Sequence, residues 1–138
     1  RVGRNGAWSK FLGDEDAYVR IEREINVDNR FKLLSFFYLS NSKFGSITNR
    51  DPAELEGAHL HAIIRREFGV STDRTNNRVK SSTIPDAICL RLNLPSATRG
   101  LVCQILGFAS GDQPLSFQEI YVPADADPME FRELRPSL

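Results

Sequence analysis

The sequence predicts an α+β domain, an antiparallel sheet of two related hairpins with helices packed on it. Three observations carry this. Residues 18–25 read Y-V-R-I-E-R-E-I, an alternation of strand period. Leu60, Ile63, Ile64 and Phe68 fall on one face of a helix over 58–68. Asp28–Ser40 aligns without a gap with Gly111–Pro123, turn on turn and strand on strand, as a duplicated hairpin would.

Taken in order, residues 1–6 are polar, and Ala7–Leu12 forms a short helix or turn stopped by Gly13. The first strand is 18–25. Val27-Asp28-Asn29-Arg30 suits a turn, since Asp and Asn tolerate left-handed backbone angles. Phe31–Leu39 returns, and 41–49 is read as loop. Asp51-Pro52-Ala53-Glu54 is a helix start that Gly57 breaks. A stronger helix runs from Ala58 to Phe68, with Gly69 as its stop. Residues 71–78 read as a polar loop before a short strand at 78–82. Thr83-Ile84-Pro85-Asp86 opens a helix to Leu92, and Pro95–Gly100 turns the chain. Leu101–Phe108 and Pro114–Val122 form the second hairpin around Ser110–Gln113. The apolar stretches 7–12 and 90–95 coincide at the repeat's offset, and the two hairpins are expected to form one sheet with helices on one face. The tail after Pro123 is expected to end in a short edge element.

The 138 residues suit one domain able to bury a core without staples. Lysine and arginine total 18, as do aspartate and glutamate, so the balance excludes a domain that binds nucleic acid through a basic excess. Cys89 and Cys103 have no metal-ligand or disulfide spacing and read as buried thiols of a reducing compartment. No apolar run reaches the length of a membrane span, and no signal peptide is visible. Arg1 opens an unpatterned stretch, so 1–16 is read as a lead-in from a longer protein and 17–138 as the domain.

The candidate site starts at Arg23. Val19, Ile21, Arg23 and Ile25 share one strand face, which aims a guanidinium among aliphatics. A buried cation needs a partner: a protein carboxylate, a bound anion, or water reached past the strand edge. Ser35, Ser116 and Gln118 interrupt the apolar faces of the return strands and need partners in the backbone, in each other or in a ligand. Together they suggest a small polar or anionic molecule held between sheet and helices. His59 and His61 stand at a helix start, where free N–H groups favour anions. Their spacing points them to different sides, so no shared metal is expected. No G-x-S-x-G, H-E-x-x-H or P-loop is present, and Glu22, Glu24 and Glu119 fall on the faces opposite the proposed pocket. No cofactor, metal or catalytic residue is expected.

Three stretches carry a resemblance: IEREINVDNRFKLLSFFYLS, LHAIIRREFGV and GFASGDQPLSFQEIYVPADADPMEF. They resemble the UTRA domain, the effector-binding half of GntR-type transcription regulators of the HutC subfamily. The resemblance implies a chorismate-lyase-like fold, a small-molecule pocket, a cytoplasmic homodimer, and DNA binding through an N-terminal winged helix outside this chain. Arg23 matches the first arginine of the family's R-x-R strand, and Ile25 stands where the second would be. Ser35 and Ser116 replace glutamates, and His59 and His61 replace Ser and Tyr that contact an anion. These departures point away from amino-sugar phosphates and toward a smaller or less hydroxylated anion. The rival reading is a lyase acting on a small carboxylate; a third is a dimerisation module without a ligand.

Overall fold

The computed structural model describes residues 1–55 and 59–124. Asp28 and Asn29 both take left-handed angles, with φ 52° and 57°, and Arg30 N donates to Val27 O at 2.9 Å. That tight turn joins β1 (Tyr18–Val27) to β2 (Phe31–Ser40). Gly111 and Asp112 do the same, with φ 73° and 57°, between β4 (Arg99–Ala109) and β5 (Gln113–Pro123). With β3 (Arg74–Thr83) they form a five-stranded antiparallel sheet in the order β1-β2-β5-β4-β3.

The repeat is real at the centre of the sheet and fades outward. Phe36 and Glu119, equivalent in the alignment, lie directly opposite each other. The outer strands are out by one residue: Arg23 pairs with Ser35, whereas Ile105 rather than Leu106 pairs with Gln118. The helices do not follow the offset. α1 (Ala7–Leu12) matches its expected bounds, but the later helix, Asp86–Arg91, ends near the start of the stretch 90–95 assigned to it.

Helices cover both faces of the sheet, not one as expected. β2 explains this, for it is apolar on both sides: Leu33, Phe37 and Leu39 on one, Leu34, Phe36 and Tyr38 on the other, all buried. The first side packs on α2 (Asn41–Phe44), the 3-10 turn Gly45–Asn49 and α4 (Leu60–Phe68), through Phe44, Ile47, Leu60, Ile63 and Ile64. α3 (Pro52–Leu55) adds Leu55 at the margin. The second side packs on α1 and α5 (Asp86–Arg91), through Trp8, Phe11, Ile88 and Cys89. Trp8 stacks on Tyr38 at 4.4 Å, so part of the 1–16 stretch lies on the sheet.

Residues 41–49 are helical rather than loop. Their N-terminus is satisfied from a distance: Glu15 Oε1 accepts from Ser42 N at 2.9 Å and from Ser40 Oγ at 2.8 Å, and Glu15 Oε2 accepts from Ser42 Oγ at 3.0 Å. Local sequence shows no such cap, and burial of Phe44 and Ile47 supplies the rest. Residues 74–78 are strand rather than loop. β3 is an exposed edge held by its ladder to β4, so it needs no apolar face. Arg74 lies 3.8 Å over the Phe108 ring and pairs with Asp112 at 3.0 Å.

Asp51 caps α3 as expected, accepting from Ala53 N at 3.0 Å. α4 ends at Gly69, whose φ of 67° lets its N–H donate to Arg65 O. The expected break at Gly57, the start at Ala58 and the edge element of the tail lie outside the described residues.

The hydrogen bonds from Ser42 N, Ser40 and Ser42 hold the Glu15 carboxyl below its ordinary pKa. Its folded pKa is therefore lower than its unfolded one, so its contribution is present at neutral pH and is lost as pH falls through the folded value. Glu15→Gln is expected to lower Tm by a few degrees at pH 7, with the gap from wild type closing in acid; thermal melts across pH check this.

Candidate functional site

β1 is an edge strand, and beside its free edge lies a groove of about 930 Å³. That size is within the range of small-molecule sites. One wall is β1 from Val19 to Asn26; the other is Ile47, Thr48, Arg50, Pro52, Ala53 and Leu55. Arg23 is half-buried in it, and burial lowers the guanidinium's pKa. Because the groove follows the strand's edge, residues of both faces border it. Glu22 and Glu24 are among the bordering residues, while their carboxylates turn to Arg20 and to Arg91 of α5, the side away from Arg23. Both are engaged in ion pairs. Glu22 pairs with Arg20 and Arg91, each at 2.7 Å, and Glu24 pairs with Arg91 at 3.6 Å.

Ser35, Ser116 and Gln118 lie deeper, on the sheet face under α4. They are 0 %, 2 % and 8 % exposed. Ser35 sits opposite Arg23, and Gln118 sits opposite Phe37. Gln118 Nε2 donates to Ser35 Oγ at 2.8 Å, so the two equivalent positions of the repeat satisfy each other. Ser116 pairs with Gly107, where an added Cβ would come within 2.4 Å of Ser116 Oγ. Only glycine admits the hydroxyl there.

The two histidines part company. His59 is exposed and precedes α4; its carbonyl accepts from Ala62 N and Ile63 N, and its ring caps nothing. His61 is held inside. Its Nδ1 lies 2.6 Å from Thr72 Oγ1, and its ring meets Phe37 edge-on at 5.5 Å. Burial, then the charges of Arg23 and His59, lower its pKa. Arg23, Ser35, Gln118, Phe37 and His61 thus form one continuous set, while His59 stands outside it and Ser116 borders it at the next position along β5.

Arg50 and Thr48 were not singled out from sequence. Arg50 bonds Glu54 at 2.9 Å and pairs with Glu67, which ties α3 to α4 beside the groove. The only local signal was its place before the Asp51-Pro52 helix start. Among the described residues, no cluster of three or more His, Cys, Asp or Glu suits a metal ion. Cys89 and Cys103 are buried free thiols.

The profile of the UTRA domain family matches residues 11–126. The chain belongs to that family. It is an effector-binding regulatory domain, and its chorismate-lyase-like fold is shared with solved transcription regulators. One is a GntR-family transcriptional regulator from Enterococcus faecalis V583, with TM-score 0.72 and 12% identity over 90% of this chain and 88% of that one. Another is the effector domain of PhnF from Mycobacterium smegmatis, with TM-score 0.71 and 19% identity over 85% and 71%. Against the longer PhnF structure the TM-score is 0.70 at 19% identity; 85% of this UTRA domain aligns, spanning 51% of that chain. No curated protein sequence matches the chain.

Gln118→Leu leaves the Ser35 hydroxyl buried without that donor and is expected to destabilise by about 1–3 kcal/mol. Adding Ser35→Ala should recover part of that loss, a coupling that urea denaturation of the single and double variants measures. His61, with its folded pKa lowered, binds a proton less readily than the unfolded chain does. Stability is therefore expected to fall as pH drops through the ordinary histidine range, about 6.5. His61→Gln should flatten that slope in melts from pH 8 to pH 5.

Proposed function

We propose that this domain binds a small anionic or polar effector at Arg23, and that binding shifts the DNA affinity of a regulator of the HutC subfamily. The observation that carries this is the guanidinium's position: half-buried, in a groove of ligand size, on the edge strand of the sheet. Ser35, Ser116 and Gln118 back it from beneath α4, His61 from α4 itself, and His59 stands near the helix start. A ligand contacting β1 and the Thr48–Leu55 wall would bridge the sheet and α3, and through Arg50 would reach α4. A ligand that favours one spacing of these elements shifts the population of that state.

The span of about half the longer PhnF chain supports a second, DNA-binding part preceding this one, with residues 1–16 leading into 17–138. The rest of the reading is a homodimer working in the cytoplasm. Among the described residues no helix is long and apolar enough to cross a membrane. The domain acts without catalysis in this reading, since the groove's carboxylates, Glu22 and Glu24, are in ion pairs with Arg20 and Arg91.

Arg23→Ala is expected to abolish anion-dependent thermal stabilisation, with Arg23→Lys retaining part of it. Unchanged stabilisation of the alanine variant would remove Arg23 from the site.

A further inference from the structure

The groove beside β1 is apolar along most of its length. Ile21, Ile25, Ile47, Pro52, Ala53 and Leu55 form its walls. Ile25 is 38 % exposed there, an aliphatic side chain left at the opening. The polar side is narrow and largely matched within the protein. Arg50 is tied to Glu54 and Glu67, and Arg20 to Glu22. Arg23 lies between Glu22 and Glu24 along the strand, and the carboxylates of those two take up Arg20 and Arg91. A ligand with several negative charges finds Arg20, Arg50 and Arg91 already matched by protein carboxylates, so its further charges lose water without gaining a cation. A ligand rich in hydroxyls lays them against side chains that offer no hydrogen bond.

We infer that the ligand is an amphiphilic monocarboxylate. Its single carboxylate sits on Arg23, and its alkyl or aromatic body lies between Ile21–Ile25 and Ile47–Leu55. At about 930 Å³ the groove has room for far more than the charged head. This rests on the proposal that the groove is the effector site, and it names the chemistry that site selects.

The test uses straight-chain acids from acetate to decanoate, with glucose 6-phosphate as the hydroxylated dianion, by calorimetry and thermal shift. Kd is expected to fall about fourfold per added methylene until the groove is filled, with no binding of the sugar phosphate at the same concentration. Arg23→Ala should weaken every acid. Ile25→Ser, which removes the apolar contact without adding a charge, should weaken decanoate at least tenfold and acetate by less than twofold. Ala53→Trp, placed on an exposed helix position, should do the same by filling the groove. Arg23-dependent binding with no chain-length dependence, or tighter binding of the sugar phosphate, overturns the inference while the effector reading stands. Absence of any Arg23-dependent anion overturns both. If Ile25→Ser changes the oligomeric state by light scattering and leaves the acids' affinity untouched, the groove is a contact between subunits and the inference falls.

Discussion

Phe36 on β2 lies directly opposite Glu119 on β5, and the rest of the sheet takes its places from that register. It sets Gln118 beside Phe37 and diagonal to Ser35, within hydrogen-bond reach. A slip of one residue would turn every side chain of β5 to the other face. Ile120 and Val122 would then leave their cluster with Leu33 and Cys103, and Phe117 would leave the α1 side. Both faces of β2 and β5 are buried, so both sides penalise the slip. The central pair is therefore the most strongly specified part of the molecule, and the outer strands tolerate the one-residue offset that breaks the repeat's symmetry.

That asymmetry places the site. β1 sits at an edge, with one side bonded to β2 and the other, past the bridge from Val2 to Tyr18, open to a groove. Arg23 is close enough to the core to be partly desolvated and close enough to the edge to be reached. Burial lowers its pKa, yet an arginine keeps its charge across the physiological range. The same desolvation strengthens any interaction the cation makes, because screening by water is reduced. In the second hairpin the place opposite Gln118 belongs to Ile105, so the duplicated unit carries one cation, not two.

The interior polar groups show how a core can hold them without a ligand. Ser35 and Gln118 answer each other, and His61 answers Thr72. The first ties β5 to β2 within the sheet and the second ties α4 to the segment leading into β3, with geometric specificity that aliphatic contacts alone lack. A molecule entering beneath α4 would compete with them, whereas one lying along β1 meets groups at the margin of the fold.

Sequence periodicity determined the two hairpins, their turns at Asp28-Asn29 and Gly111-Asp112, the amphipathic α4 with its Gly69 stop, and the inward aim of Arg23. Each of these depends on contacts between near neighbours or on one buried face, and so leaves a pattern in the chain. Tertiary structure decided the rest. The helix after Ser40 depends on Glu15, a residue distant in sequence; β3 depends on a ladder to β4 rather than on any pattern of its own; and helices cover both faces because β2 is apolar on both sides. The groove itself is formed where a free strand edge meets Thr48, Arg50 and the α3 turn. Only strand order determines which edge is free, and strand order is set by long-range pairing that alternation along one strand does not encode.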